Sequence, residues 1–229
     1  MIARVASCAA TDWPSPDAWA RAAPVRLACF HPRSAPTNRP GVEARLLQAQ
    51  ERFLFVRFAV TAEMGVVARH TVPGSWVCQD SCVEVFLSVP GTIGYANVEV
   101  NAIGTSLAMH VRDPTPSTTR RTPFRDADVF DASAIAAFLT VRTSLPWGKV
   151  IDVPIPGASD WQATFRLDLP ELARRCGGAV ECLSGISLRA NFYKCADAGP
   201  APHWAAWADI GERLSFHQPE RFGMLQFDQ

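Results

Sequence analysis

The sequence predicts an all-β protein, a single jelly-roll-like β-sandwich of about ten strands with one or two short helices. Eighteen prolines and 14 glycines interrupt the 229-residue chain at short intervals, which leaves little room for long helices. Several segments alternate apolar and polar residues with the period of two that is typical of strands. Two sheets that each have one apolar face can bury those faces against each other.

Composition and charge limit the classes of partner. The 22 basic residues balance 22 acidic residues, so no broad electrostatic attraction draws the chain to nucleic acid or to a membrane surface, and we expect neither partner. A chain of this length can bury a core without disulfides. The odd number of cysteines, seven, and a first segment unlike a secretory signal predict mostly free thiols and a cytoplasmic location.

We divide the chain into an N-terminal extension, residues 1–24, and a sandwich domain, residues 25–229. The domain begins with a strand at 25–30. The next two strands, 42–47 and 52–60, form a hairpin with a turn at 48–51. Within 52–60 both alternating faces are apolar at the start, which predicts a strand covered on both sides. Other predicted strands lie at 105–111, 138–143, 162–167 and 222–227.

Helices and loops occupy the remainder. We predict short helices at 16–21 and 170–176, with Asp168 as a possible N-cap of the second. The segments 113–125 and 149–159 are rich in proline and small residues and are predicted to be loops, the first of them mobile.

The most informative strands are 81–89, 95–102 and 186–193, because each alternates an apolar face with a polar face. The polar faces carry carboxylates, amides and one arginine, which can form paired hydrogen bonds with neighbouring hydroxyls of a sugar. A solvated outer face has the same periodicity, so that alternative stays open. The residues on these faces are Glu84, Asn97, Glu99, Asn101, Arg189 and Asn191.

Seven tryptophans are many for a chain of this length. Trp76 precedes the strand at 81–89, and Trp204 and Trp207 lie outside any clear strand. An indole ring on a loop can stack against the face of a pyranose ring. The alternative is that these rings plug the ends of the sandwich; we favour it for Trp204 and leave both interpretations open for Trp76 and Trp207.

Trp76 and the segments 79–87, 95–104 and 188–194 resemble the family nine carbohydrate-binding modules and the related DOMON-like domains. Trp207 followed by 216–223 extends this resemblance, which runs from about residue 25 to the end. It implies a sandwich without catalytic activity that clamps a terminal sugar of a mono- or oligosaccharide between two aromatic rings. Carried over, the stacking pair would be Trp76 and Trp207, with further ligand-binding candidates at Glu84, Asn97, Asn101, Arg189, Asn191 and Trp204.

Two alternatives involve other chemistry. A glycoside hydrolase could use Glu84 and Glu99, which project from the same side of their strands and could lie about 5 Å apart if the strands are neighbours. Some DOMON-like domains bind haem, for which the available ligands are Met64, Met109, His70 and His110, although Met109 and His110 point to opposite faces of a strand.

We predict no cofactor and no metal. No run of acidic residues and asparagines is dense enough for the structural calcium that some relatives bind. Cys78 and Cys82 have no second cysteine or histidine pair at zinc-finger spacing. His217 is interpreted as a packing residue.

Overall fold

The computed structural model describes residues 1–10, 12–118 and 122–229. The predicted β-sandwich is confirmed, with 14 strands in the described residues instead of about ten. Much of the excess consists of strands of two or three residues. The strands are β1 (Ile2–Ser7), β2 (Pro24–Arg26), β3 (Cys29–Phe30), β4 (Gly41–Ala49), β5 (Phe53–Met64), β6 (Cys82–Ser88), β7 (Tyr95–Asn101), β8 (Ser106–Pro116), β9 (Phe124–Val129), β10 (Leu139–Thr143), β11 (Ala158–Asp168), β12 (Ser187–Cys195), β13 (Trp204–Ala206) and β14 (Gly223–Phe227).

Three α-helices, α1 (Pro16–Arg21), α2 (Ala132–Phe138) and α3 (Leu169–Arg175), and two short 3₁₀ helices complete the described part of the chain. Ser15 and Asp168 cap α1 and α3 by accepting hydrogen bonds from Ala18 N and Glu171 N. No helix in this part of the chain is both long enough and apolar enough to cross a membrane.

The two layers of the sandwich are joined through β1. The strands follow the order β10-β11-β5-β4-β1-β14-β12-β6-β7-β8-β9. The start of β1 pairs in parallel with β14, where Ile2 lies opposite Met224, and its end pairs with β4, where Ala6 lies opposite Leu47. Within residues 1–24, predicted as an extension, β1 therefore pairs with strands of both layers, and α1 packs on β5.

The main core lies between the layers. Val56 and Phe58 of β5 and Val85 of β6 are fully buried in it, on the faces predicted to be apolar. Phe58 meets Phe192 of β12 edge to face, with ring centroids 6.2 Å apart, so aromatic packing connects the two layers.

The second face of β5 is also covered, as its sequence predicts. Phe55 is buried in a separate apolar cluster with Trp19 of α1. Trp13 approaches Phe55 with ring centroids 5.8 Å apart. The segment before β2 thus shields the first layer from water.

The hairpin between β4 and β5 has a shorter turn than predicted. Strand β4 continues to Ala49, and the two next residues, Gln50 and Glu51, both have positive φ angles of 54° and 51°. Such a pair reverses the chain with the twist that antiparallel strands prefer. The predicted turn at 48–51 therefore begins too early.

Other differences concern short elements. The strand predicted at 25–30 is split into β2 and β3, which join different layers. Helix α2, which was not predicted, is N-capped by Asp131. The loop predicted at 113–125 is partly strand, because β8 continues to Pro116 and β9 begins at Phe124; residues 119–121 of this prediction lie outside the described residues.

Candidate ligand-binding cavity

The predicted polar faces of β6 and β7 are buried, and on that of β12 Asn191 is buried while Arg189 is exposed. Glu84 and Glu99 are 2% and 3% exposed, and Asn97 and Asn191 are fully buried. A second apolar cluster covers them, in which the ring of Tyr193 stacks on Phe216 with centroids 4.1 Å apart. The C-terminal segment that carries Phe216 therefore converts this outer face into an interior surface.

A cavity of about 460 Å³ opens between this face and the covering segments. Its lining is largely aromatic and apolar, with carboxylates added where β6 and β7 contribute to it. Its volume lies within the roughly 300–1,000 Å³ that is usual for small-molecule sites. The lining includes Trp76, Glu84, Glu99, Met109, Phe124 and Trp204.

Strand register brings Glu84 and Glu99 together. The two residues lie directly opposite each other on antiparallel β6 and β7, as required for the predicted carboxylate pair. Burial and the charge of Glu99 raise the pKa of Glu84 well above its ordinary value, and burial raises the pKa of Glu99 to about 7. The pair therefore retains a proton near neutral pH.

The hydrogen bonds of the two carboxyl groups are unequal. Glu84 Oε1 accepts from the Cys195 thiol at 3.0 Å, and Glu99 Oε1 accepts from Asn97 Nδ2 at 2.9 Å. Glu99 Oε2 has no hydrogen-bond partner in the described part of the chain. A buried carboxyl oxygen in this state is available to a polar ligand.

Two of the three candidate tryptophans line the cavity. Trp76 is 39% exposed and stands just before the short 3₁₀ helix Val77–Gln79. Trp204 is half-buried, and its Nε1 donates to Asp197 Oδ1 at 2.7 Å, which fixes the orientation of the indole ring. The end-plug interpretation favoured for Trp204 is therefore wrong, since this ring faces the cavity.

Trp207 is a core residue. It is 4% exposed and packs against Phe192 between the layers, with ring centroids 5.6 Å apart. A Cβ atom added to Gly223 would lie 2.6 Å from the Trp207 ring, so the glycine makes room for it. In the described part of the chain, Trp76 and Trp204 line one cavity, whereas Trp207, predicted to form a stacking pair with Trp76, does not line it.

Most of the remaining candidates are held by the backbone. Asn191 accepts from Phe192 N and Ala208 N and donates to Ala208 O, all at 2.9 Å. Asn101 likewise accepts from Thr105 N and donates to Asp80. These amides fix loops onto the sheet and do not line the cavity.

Arg189 and Asn97 do not line the cavity. Arg189 extends along the exposed side, where its Nη2 donates to the carbonyls of Glu220 and Phe222. Asn97 reaches the cavity only through its hydrogen bond to Glu99. The predicted hydrogen-bonding set is thus reduced to Glu84 with Glu99.

His217 lines the cavity and packs in it, as interpreted from the sequence. The Tyr95 hydroxyl hydrogen-bonds to its Nδ1 at 2.7 Å, and its ring lies 4.3 Å from that of Phe124. Burial and the charge of Arg213 lower the pKa of His217 to about 3, so the imidazole is neutral near pH 7.

The sequence prediction missed the lining residues Met109, Phe124 and Phe216. Met109 lies on the same face of β8 as Leu107 and Val111, which is the signal that could have placed it beneath a covering segment. Of the suggested haem ligands, only Met109 lines this cavity. His110 is occupied elsewhere, by a hydrogen bond to Ile93 O at 3.0 Å.

A buried ion pair lies between the layers. Lys194 Nζ donates to Glu63 Oε1 at 2.8 Å and to Cys195 O at 2.7 Å, and Trp161 Nε1 donates to Glu63 Oε2 at 2.6 Å. Burial would raise the pKa of Glu63, but the charges of Lys194 and His203 outweigh it and lower the pKa. The pair anchors β12 to β5 at the strand end next to Cys195.

Comparisons with known proteins identify a family by sequence and a shared fold by structure. A family model described as "Carbohydrate-binding family 9" matches residues 26–136 and 156–227. A crystal structure of a proposed carbohydrate-binding protein from Bacteroides uniformis ATCC 8492 has a TM-score of 0.80 and 24% sequence identity, over 99% of each chain. At this identity the likeness shows a shared fold. No curated protein sequence matches the chain significantly.

Proposed function

Because the chain belongs to carbohydrate-binding family 9, we propose that its cavity binds a sugar unit of a mono- or oligosaccharide without chemical change. The observation that carries this proposal is the position of Trp76 and Trp204 around one cavity whose polar groups are Glu84 and Glu99. Indole rings offer flat apolar surface to the C–H face of a pyranose ring, and carboxyl oxygens accept from its hydroxyls.

Burial determines how much the two indole rings and the two carboxyl groups each contribute to the free energy of sugar binding. Each indole face that a sugar covers removes apolar area from water, which contributes about 25 cal/mol per Å². Glu99 Oε2 gains the hydrogen bond that it lacks in the described structure, so a correctly placed hydroxyl is favoured over an apolar group. We propose that the rings supply most of the affinity and the carboxyl pair the orientation.

A glycoside hydrolase is the second candidate, and one observation favours it. Glu84 and Glu99 lie opposite each other on adjacent strands, and the pKa of Glu84 is raised, as that of the general acid is in such enzymes. Binding without turnover is favoured here because the chain belongs to a binding family and because Glu84 Oε1 is engaged by the Cys195 thiol.

Calorimetric titration with a panel of mono- and oligosaccharides tests the proposal. We expect saturable binding of at least one sugar, unchanged sugar in the recovered sample, and an affinity at least about tenfold weaker in Trp76→Ala. Trp147→Ala is the matched control, because Trp147 is an exposed indole that does not line the cavity. Hydrolysis products that disappear in Glu84→Gln would identify the hydrolase instead, and the absence of binding across the panel would contradict both functions.

A further inference from the structure

The sheet places two thiols and a carboxylate together beside the cavity. Cys82 and Cys195 lie directly opposite each other on β6 and β12, and Glu84 follows Cys82 on the same face of β6. All three are buried, and their ligand atoms lie within 4.8 Å of one another. Zn–S bonds of about 2.3 Å in a tetrahedral site place two sulfurs roughly 3.8 Å apart, so the cluster needs little movement to surround one ion.

A second observation also points to a bound ligand here. Glu99 is 97% buried, since only 3% of it is exposed, and its Oε2 has no hydrogen-bond partner in the described ranges. It stands opposite Glu84 in the strand register and lines the same cavity. An unpartnered buried acceptor is costly, and either a cation or a water bound to a cation would satisfy it.

Coordination by a divalent cation would hold both cysteines as thiolates, because the charge of the ion stabilises that form.

We propose that Cys82, Cys195 and Glu84 bind one zinc ion at the floor of the cavity. Zinc accepts mixed sulfur and oxygen ligands in tetrahedral geometry, and three protein ligands leave its fourth position for a water or a ligand hydroxyl. On binding, the two thiol protons and any proton on Glu84 pass to solvent, so two thiolates and a carboxylate surround the ion. Because Cys195 and Glu84 line the cavity, the open position faces the ligand site.

This site goes beyond the proposed sugar function and does not depend on it. The spacing of Cys78 and Cys82 alone gave no reason to expect a metal, because the second thiol of the cluster comes from β12, far along the chain. Cys78 also lines the cavity, but it lies outside the group of three whose ligand atoms meet.

Cobalt substitution tests the site on the full chain, kept reduced and free of sugar. We expect the wild type to bind one equivalent of Co²⁺ with a sulfur-to-cobalt charge-transfer band, which Zn²⁺ abolishes by displacement. Cys195→Ser and Glu84→Gln should each weaken binding by at least about tenfold. Cys182→Ser is the control, since Cys182 bonds to Glu51 outside the cavity. Circular dichroism verifies that each variant is folded.

Two results would overturn the proposal. One is a wild type that shows no charge-transfer band, even if it retains some metal, since such metal is bound without thiolates. The other is a full-strength band in Cys195→Ser together with an unchanged cobalt affinity in Glu84→Gln, which would place the metal elsewhere. If Cys195→Ser does not fold, the cobalt affinity of folded Glu84→Gln decides the question alone, and an affinity equal to that of the wild type overturns the proposal.

Discussion

Glu84 and Glu99 face each other across the antiparallel strands β6 and β7, and both carboxyl groups are buried at the cavity. Two negative charges at this separation and burial would repel each other strongly. The protein therefore holds a proton here that it would lose in water. This relationship gives the cavity a hydrogen-bond donor as well as acceptors near neutral pH.

The first prediction concerns pH and stability. The folded-state pKa of Glu99, about 7, lies above the ordinary value of 4.5, so the folded chain binds more protons than the unfolded chain between these values. Stability conferred by the protonated carboxyl is complete below about pH 4.5 and is lost as pH rises through 7. Glu99→Gln removes this titration. Between pH 5 and pH 8, the free energy of unfolding of the wild type should therefore fall by about 3 kcal/mol more than that of the variant.

Urea unfolding at the two pH values measures this difference. Glu181→Gln is the matched control, because it removes an exposed carboxylate and should follow the wild type. Parallel curves for the wild type and Glu99→Gln would show that Glu99 does not retain the proton.

The second prediction separates the two neighbouring tryptophans. Trp204→Ala removes an indole from the cavity and should weaken sugar binding by about 1.5–3 kcal/mol while unfolding stability changes less. Trp207→Ala empties part of the core and should lower the free energy of unfolding by about 3–5 kcal/mol. Calorimetry and thermal unfolding on both variants check this. If Trp207→Ala lost sugar affinity per folded molecule and Trp204→Ala kept it, Trp207 would be the cavity residue and Trp204 would not.

That assignment illustrates what the sequence could not provide. Strand β13 has only three residues, Trp204–Ala206, too few for periodicity to reveal. Trp207 follows it directly, and continuing the period of two by one residue places Trp204 and Trp207 on opposite sides of the sheet, where they pack in different clusters. Knowing that a strand begins at Trp204 would have been sufficient to separate the cavity ring from the core ring. The pairing of β13 with β12 that creates this strand is a long-range contact without a local signal.

The longer strands were predictable because their information is local. Alternation placed β6 and β7 within one or two residues of their observed bounds and identified their core faces correctly. It could not show what covers the other face, since the covering residue Phe216 comes from a segment remote in sequence. Alternation therefore predicts Asn191 and Asn101 as ligand-binding groups, whereas in the structure their side chains are hydrogen-bonded to loops.

The third prediction tests that reassignment of the amides. Asn191→Ala leaves the buried amide and carbonyl of Ala208 unpaired and should lower the free energy of unfolding by about 2–4 kcal/mol. Arg189→Ala removes an exposed side chain and should change it by less than about 1 kcal/mol. Neither variant should alter the sugar affinity that calorimetry measures on fully folded samples; a large loss of affinity in either would return that residue to the site.

The fourth prediction concerns the buried ion pair. Lys194→Met leaves the Glu63 carboxylate buried without its partner and should cost about 3–5 kcal/mol of unfolding stability. Adding Glu63→Gln should recover part of that loss, because the uncompensated charge is gone. Chemical unfolding of the single and double variants measures the coupling; strictly additive losses would show that the two residues act independently.

The most direct measurement of the central claim is a crystal structure of the protein with a sugar that the calorimetric panel identifies. We expect the ring of one sugar unit in the cavity of about 460 Å³, stacked on Trp76 or Trp204, with a hydroxyl bonded to Glu99 Oε2. Density for the sugar outside this cavity, with both indoles and Glu99 free of contact, would contradict the proposed function.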